Sequence, residues 1–350
     1  MNLETTLTHI LPLDQAAMQT AKRRWDSIAK PLGSLGLLET AVIQLAGIQC
    51  TANVRIDRRA IVVMCADNGV VAEGVTQTGS EVTAIVAENF TKGQTSLCAM
   101  ARLANAAVHP VDIGMLTDVP AVENRKIAYG TRNMAHEPAM TRAQAVAAIE
   151  VGIDKAQSLI QQGVNLLATG EMGIGNTTTS SAVAAVLLNQ PVEAVTGRGA
   201  GLTSTGLAHK IEVIQRAIAL HQPDSSDPLD VLAKLGGFDL AGLVGVYLGG
   251  AAMHTGVLVD GFISAVAALI AARLCPVVQS YLLPSHVSKE PAGQLVLEEL
   301  GLRPFLHADM CLGEGTGAVA AMPILDMANA VYREMSTFED IAIDAYQELK

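Results

Sequence analysis

From residue 60 onward, short runs of apolar residues alternate with longer alanine-rich stretches that have helical character. Short, continuously apolar runs are typical of strands buried on both faces, and the alanine-rich stretches are typical of the helices that connect such strands. This alternation predicts an α/β fold with a doubly wound, mostly parallel sheet of the Rossmann-like type. The candidate strands are residues 60–65, 107–113, 165–168, 257–259, 278–283 and 304–307.

The two ends of the chain lack this alternation and have helical character instead. Residues 13–49 are interrupted at 30–36, where one proline and two glycines break the helical pattern. Residues 318–350 are interrupted near 336–338. Because neither end has a core of its own, we expect both to pack together as a small helical subdomain. The boundaries we expect are 1–25 together with 325–350 for this subdomain, and 26–324 for the α/β domain.

The acidic net charge of the chain limits the kinds of molecule that it is expected to bind. The 350 residues include 23 Lys and Arg against 34 Asp and Glu, a formal net charge of −11. Such an acidic excess argues against a groove for nucleic acid and against binding to an anionic membrane surface. The expected partners are therefore small molecules, and a local basic site for one small anion remains compatible with the composition.

Cysteine usage and hydropathy point to a cytoplasmic protein. The five cysteines are odd in number and form no CxxC pair or Cys/His ligand spacing, which predicts reduced thiols and no metal site. We expect no secretory signal, since no basic stretch followed by an apolar run begins the chain. Residues 240–259 carry no charged side chain and are long enough to span a bilayer. Their five glycines and His254 favour a buried helix, turn and strand instead, so we expect no membrane span.

Ligands of open parallel α/β sheets bind beyond the carboxyl ends of the strands, and a glycine-rich segment follows one candidate strand there. This segment is residues 169–180, TGEMGIGNTTTS. Gly173 and Gly175 would let the backbone approach a ligand, while Thr177 and Thr178 would add hydroxyl donors at a helix N-terminus. A phosphate would fit there, although the same residues would also serve as a plain helix cap. The order of a nucleoside-triphosphate P-loop is missing.

A second glycine-rich loop contains a guanidinium group. Residues 196–202 read TGRGAGL, and Lys210 follows about two helical turns later. Arg198 and Lys210 could together neutralise a phosphate, whereas the alternative is a flexible loop with two solvated cations. The GxGxG pattern is also a weak dinucleotide fingerprint, because no clear strand precedes it and no acidic residue ends a strand about 20 positions later. Two such loops in one acidic protein favour phosphate.

Acidic residues in two glycine-rich segments are candidates for proton transfer. Residues 312–318, LGEGTGA, place Glu314 just before an apolar helix. The helix dipole would favour the ionised carboxylate and apolar neighbours such as Leu312 would disfavour it, a balance that suits a general base. Glu314 could also act only as a helix cap, and Glu171 has the same two interpretations. Asp67 ends a candidate strand, where it could orient a ligand or cap a turn.

Six motifs together resemble the nicotinate-nucleotide:dimethylbenzimidazole phosphoribosyltransferase family, which acts in cobalamin lower-ligand assembly. They occur in the family's order and span nearly the whole chain, which makes them far more specific than any single glycine loop. The motifs are residues 30–39 (KPLGSLGLLE), 65–70 (CADNGV), 170–178 (GEMGIGNTT), 197–202 (GRGAGL), 236–240 (GGFDL) and 312–318 (LGEGTGA).

The resemblance implies a doubly wound α/β domain, a small helical domain built from both termini, and a homodimer. It also implies transfer of phosphoribose from nicotinate mononucleotide to an aromatic base with inversion, giving α-ribazole phosphate and nicotinate, without cofactor or metal ion. Glu314 matches the family's general base and Glu171 a second acid. The implied phosphate and ribose contacts are Gly173, Gly175, Asn176, Thr177, Thr178, Arg198, Gly199 and Lys210.

The acceptor pocket is where the sequence departs from the family pattern. Benzimidazole-using members tend to carry His, Ser and Gln where this chain has Asn68, Thr78 and Val86. We expect loose specificity for the acceptor base, in a pocket formed by Asp67, Thr78, Val86 and Leu312. Two other functions stay open, namely a nicotinamide-dinucleotide oxidoreductase that uses the GxGxG loop and a non-catalytic nucleotide-binding subunit. The first strand ends in CADNG rather than in a Rossmann glycine triplet, which disfavours the oxidoreductase.

Overall fold

One parallel sheet lies at the centre of the computed structural model, which describes residues 1–347. Its strands are paired in the order β3-β2-β1-β4-β5-β6, and the direction of winding reverses between β1 and β4. This is the strand order of doubly wound α/β folds, so the predicted fold class is confirmed. The strands are β1 (Arg59–Ala66), β2 (Ala106–Gly114), β3 (Glu123–Asn124), β4 (Leu166–Met172), β5 (Val257–Val259) and β6 (Leu282–Pro284).

Helices cover both faces of this sheet. Two short 3₁₀ helices, Gly69–Glu73 and Pro276–Tyr281, accompany the α-helices within residues 1–347. The α-helices are α1 (Leu3–His9), α2 (Gln15–Ser27), α3 (Leu37–Ile48), α4 (Glu81–Thr91), α5 (Ser96–Leu103), α6 (Arg142–Gln161), α7 (Asn176–Leu187), α8 (Val192–Val195), α9 (Ser204–His221), α10 (Pro228–Leu235), α11 (Phe238–Ala252), α12 (Phe262–Leu274), α13 (Ala292–Glu299) and α14 (Thr316–Glu334).

Alternate residues of the central strands point into two separate apolar cores. Val62 and Met64 of β1 belong to the core beneath α6, α11 and α12, whereas Ile61 and Val63 belong to the core beneath α3, α5 and α14. Every residue of β1 and of β4 is buried. Continuous burial explains why these strands are recognisable in the sequence as unbroken apolar runs.

α6 and α11 cross with their backbones in close contact. A Cβ atom at Gly152 would overlap the carbonyl oxygen of Gly242, and one at Gly245 would overlap that of Ile149. Glycine is therefore required on both sides of this crossing. Residues 240–259 form the rest of α11, a turn and β5, as predicted, and no helix within residues 1–347 is long and apolar enough to cross a membrane.

Two of the strand predictions were wrong, one in extent and one altogether. Of residues 278–283, only the last two lie in β6, because Pro276 starts a 3₁₀ helix that continues to Tyr281. Residues 304–307 form no strand, and Leu306 makes only an isolated parallel bridge to His286. A short apolar run does not by itself distinguish a strand from a buried helical turn. β4 also continues past residue 168 to Met172, so Glu171 lies in the strand rather than in the following loop.

The chain termini meet near α2. Trp25 packs on Tyr332 with ring centroids 5.3 Å apart, and the Arg24 guanidinium donates to the Tyr332 carbonyl oxygen at 3.1 Å. Helix α14 ends at Glu334, and residues 335–347 continue without helix, pairing through Thr337 with Ile28; the predicted helical character there was wrong. The subdomain boundaries stay a prediction, and residues 348–350 lie outside the described residues.

Candidate active site

A cavity of about 320 Å³ opens at the carboxyl edge of the sheet. The end of β4, the first turns of α7 and α12, one side of α4 and the segment before α14 form its walls. The cavity therefore lies beside the β1/β4 junction, where the winding reverses and where doubly wound sheets bind ligands.

Glu314 lies in the cavity wall in a left-handed backbone conformation. Its φ is 64°, and its neighbours Gly313 and Gly315 have φ values of 79° and 102°. A left-handed conformation is uncommon for a residue other than glycine, so the surrounding contacts must hold it. The Oε2 atom is buried without a hydrogen-bond partner, and burial together with the nearby charge of Asp260 raises the pKa of Glu314.

Asp260 holds the turn that follows Glu314. It comes directly after β5 and is 2% exposed. Its Oδ2 accepts the Gly315 N–H at 3.1 Å, and its Oδ1 accepts the Ala318 N–H at 2.9 Å. These N–H groups belong to the first turn of α14, where intrahelical acceptors are lacking. Asp260, which follows β5, thus caps the N-terminus of α14.

Glu171 is buried among other acids. Its carboxylate accepts the side-chain amide N–H of Asn176 and, at 3.4 Å, the backbone N–H of Glu314. Burial and the charges of Asp239 and Asp260 raise the pKa of Glu171 to about 8. Burial raises the pKa of Asp239 to about 6, although its Oδ1 accepts the Leu240 N–H at 2.9 Å and its Oδ2 the Asn68 amide N–H at 3.3 Å.

A buried cation lies behind the opposite wall. The Lys210 ammonium group donates to Thr177 Oγ1 at 2.9 Å and to the Gly197 carbonyl oxygen at 3.2 Å. Lys210 is only 1% exposed, and burial lowers its pKa to about 8 against the opposing effect of Glu290. Burial raises the pKa of Glu290, whose Oε2 has no hydrogen-bond partner. Lys210 thus reaches the first turn of α7 through Thr177.

The structure brings many of the residues singled out in the sequence to this one cavity. Its lining includes Val86, Glu171, Gly173, Asn176, Thr177, Gly199, Leu312 and Glu314. Other candidates lie outside the lining: Asp67, Thr78, Gly175, Thr178, Arg198 and Lys210.

The residues outside the lining are of two kinds. Asp67 and Thr178 are buried behind it, and Asp67 Oδ2 accepts the Leu116 N–H at 2.7 Å. Gly175 packs against Val71. Thr78 and Arg198 are exposed instead. The Arg198 guanidinium donates to the Leu202 carbonyl oxygen at 2.7 Å and to Ser204 Oγ at 3.1 Å, within its own loop.

Sequence reasoning assigned no role to three acids near the cavity. Asp260 carries the strand-end signal that drew attention to Asp67, and Asp239 lies within the 236–240 motif, whereas nothing local marks Glu290. The GxGxG loop follows the short helix α8 rather than a strand, which does not support the dinucleotide-binding alternative. Within residues 1–347, no three or more His, Cys, Asp or Glu side chains are grouped to hold a metal ion.

We predict that Glu171 makes the protein less stable as the pH rises from about 4.5 to about 8. In this window the folded state keeps a proton that the unfolded chain has lost, so the free energy of unfolding decreases with pH. Urea unfolding of the parent and of Glu171→Gln at several pH values measures the effect. The Gln variant should lose less stability across the window, and the exposed control Glu339→Gln should follow the parent. Parallel curves for parent and Glu171→Gln would contradict the prediction.

Comparisons with known proteins place the chain in a family. A family model described as "Phosphoribosyltransferase" matches residues 10–343. A relative from Acetivibrio thermocellus is 49% identical over 344 residues, covering 98% of each chain, and is named nicotinate-nucleotide–dimethylbenzimidazole phosphoribosyltransferase. A relative of the same name from Ruminiclostridium cellulolyticum is 49% identical over 352 residues, covering 100% of both chains.

A solved structure extends the similarity to three dimensions. The crystal structure of CobT from Thermus thermophilus matches with a TM-score of 0.89 and 40% identity, over 95% of this chain and 100% of that one. The family consists of enzymes, which does not support the alternative of a non-catalytic subunit. The family model, the full-length relatives and the fold show that this chain belongs to the nicotinate-nucleotide–dimethylbenzimidazole phosphoribosyltransferase family.

Proposed function

We propose that this chain transfers phosphoribose from nicotinate mononucleotide to 5,6-dimethylbenzimidazole or a related aromatic base. The products are α-ribazole 5′-phosphate and nicotinate, for assembly of the cobalamin nucleotide loop. The observation that carries the proposal is the Glu314 carboxylate, which lies in the cavity wall with one oxygen unpaired and its pKa raised. Such a group is suited to accept a proton from a bound base.

In the proposed reaction, one azole nitrogen of the acceptor attacks the anomeric carbon of the ribose from the face opposite nicotinate. The new C–N bond forms as the bond to nicotinate breaks, and the bonding electron pair neutralises the pyridinium nitrogen. The second azole N–H becomes acidic during the attack, and Glu314 takes its proton. Nicotinate leaves as a stable molecule, so the step needs no further electrophile.

The two acids have different roles in this proposal because their environments differ. Glu171, whose pKa is about 8, holds a proton at neutral pH and adds no charge beside Glu314. The neutral carboxyl can then donate a hydrogen bond to the substrate, while Glu314 remains the base. Pairs of acids whose environments separate their pKa values commonly divide acid and base functions in this way.

The donor phosphate is proposed to bind at the first turn of α7. The Thr177 hydroxyl and the backbone N–H groups of a helix N-terminus are suitable ligands for phosphate oxygens. The Lys210 ammonium group, 2.9 Å from Thr177 Oγ1, supplies the positive charge. Arg198 does not line the cavity, so its proposed contribution requires the 196–202 loop to turn inward.

We further propose a homodimer in the cytoplasm. Ile85 on α4 and Leu312 in the cavity lining are each 55% exposed, and exposed apolar side chains of this kind support burial against a second subunit. The buried free thiols of Cys65 and Cys98 suit a reducing compartment. Sedimentation equilibrium should give twice the 36.5 kDa of one chain, and cell fractionation should recover the protein in the cytosol. A monomer or a secreted protein would contradict the respective proposal.

We predict that Glu314→Gln abolishes most turnover while leaving the fold and donor binding intact. The amide cannot accept the azole proton, and general-base assistance typically contributes about 10²- to 10⁴-fold. The measurement is nicotinate released from nicotinate mononucleotide and dimethylbenzimidazole without added metal. Glu334→Gln, at the exposed C-terminal end of α14, is the matched control and should be fully active. Near-normal turnover of Glu314→Gln would remove Glu314 from the mechanism.

Lys210→Met should weaken binding of nicotinate mononucleotide and have little effect on nicotinate riboside, which lacks the phosphate. Arg198→Ala tests the loop arginine in the same way, and Arg55→Ala, an exposed cation paired with Asp57, is the control. The measurement is kcat/KM for both donors. Equal losses with both donors would show that the varied cation does not recognise the phosphate.

Val86→Gln should change the ranking of acceptor bases. Val82, Val86 and Leu312 give the acceptor side of the cavity an apolar surface, which discriminates mainly by shape. A methyl group in such a pocket is worth about 1–3 kcal/mol, so the parent should use several bases. The test compares kcat/KM for benzimidazole, dimethylbenzimidazole, adenine and p-cresol in parent and variant. A parent confined to one base, with its ranking unchanged by the substitution, would disprove the idea.

A further inference from the structure

We propose that Asp260 is a positioning residue for the transfer, because it fixes the backbone turn that presents the Glu314 carboxylate to the cavity. The inference rests on the proposed function and deepens it. Asp260 and Glu314 are separated by more than fifty residues in sequence, and they meet only because β5 ends where α14 begins.

The peptide bond between Glu314 and Gly315 is held from both sides. Its N–H, on Gly315, donates to Asp260 Oδ2 at 3.1 Å. Its carbonyl, on Glu314, packs so closely on Gly170 of β4 that a Cβ atom there would overlap it. The orientation of this peptide determines where the Glu314 side chain leaves the backbone.

Asp260 also replaces the usual cap of α14. The N-cap position is Gly315, which has no side chain to accept a backbone N–H. Asp260 supplies both missing acceptors, one for Gly315 and one for Ala318. Without it, two buried N–H groups would lose their partners, and the left-handed Glu314 would be free to relax toward a more favourable conformation.

The Asp260 carboxylate acts on Glu314 by charge as well as by geometry. Several titratable groups share the surroundings of Glu314: Glu171 from β4, Asp260 after β5, and His286 after β6, whose ring packs on Gly317 in the first turn of α14. Burial lowers the pKa of His286 against the opposing effect of Asp260, and the lowered pKa favours the neutral imidazole. Removing the charge of Asp260 should make Glu314 more acidic.

The test is Asp260→Asn, assayed for nicotinate release from pH 5 to pH 9. The Asn oxygen can accept one N–H, while its amide group faces the other donor and carries no charge. We expect kcat to fall at least about tenfold, with KM for nicotinate mononucleotide little changed. The acidic limb of the pH profile of kcat/KM should shift by about one unit toward lower pH. A purely structural role would lower kcat without moving the limb, and unchanged kcat would overturn the proposal outright.

Two further variants separate the effect of Asp260 on the position of Glu314 from the effect of its charge on the pKa of Glu314. Asp260→Glu keeps the charge, and Gly170→Ala pushes on the Glu314 carbonyl from the other side without touching Asp260. Both should lower kcat and leave the acidic limb in place. These variants also test the proposal if Asp260→Asn does not fold. Normal turnover of Gly170→Ala would show that the reaction does not depend on a fixed orientation of the Glu314–Gly315 peptide bond.

Hydrogen exchange distinguishes failure of this inference from failure of the proposed function. Peptides covering residues 312–320 should exchange faster in Asp260→Asn than in the parent, since the Gly315 and Ala318 N–H groups lose acceptors. This measurement needs no turnover. An inactive parent would refute the proposed function, whereas unchanged exchange in the variant would refute the role of Asp260.

Discussion

Four carboxylates, those of Glu171, Asp239, Asp260 and Glu314, are crowded at one edge of the sheet. The charges of Asp239 and Asp260 raise the pKa of Glu171, and that of Asp260 raises the pKa of Glu314. Such crowding is tolerated only if the carboxylates are hydrogen-bonded or protonated. Asp260 accepts a backbone N–H at the start of α14, and Glu171 accepts the side-chain amide N–H of Asn176. Asp239, at the start of α11, accepts the amide N–H of Asn68, which follows β1. Three of the four acids thus tie β5 to α14, β4 to α7 and α11 to the segment after β1.

The other end of the cavity has the opposite electrostatic character. Lys210 is buried, and its desolvation disfavours the positive charge just as burial disfavours the negative charge of Glu171. An anionic group bound near Thr177 would offset the desolvation cost of the Lys210 charge. An N–H donor near Glu314 would offset the desolvation cost of the Glu314 carboxylate. In the proposed complex, a phosphate at one end and an azole N–H at the other would satisfy both demands, which would give the bound molecules a single favourable direction.

Local signals in the sequence identified the strand ends, the glycine loops and Glu314, because apolar runs and glycines have direct conformational consequences. Asp260 has a role only through its contact with α14, and no local pattern encodes a partner so far along the chain. For Arg198 the local signal was present but the contact is not seen. Its charge and glycine neighbours suggested a phosphate contact, whereas its guanidinium group donates to a carbonyl oxygen of its own loop. The two-residue strand β3 is exposed and has no apolar run from which it could be predicted.

The glycine crossing of α6 and α11 restricts how this site can adapt. With Gly152 and Gly245 set against backbone carbonyls, neither helix can slide along the other without driving a Cβ atom into a peptide group. α11 begins with the residues that place Asp239 behind the acidic wall of the cavity, so this crossing gives that wall a rigid support. Bases of different size must then be accommodated by the opposite wall, at Val82, Val86 and Leu312. If the acceptor binds there as proposed, a new acceptor preference can evolve without disturbing the groups proposed for proton transfer.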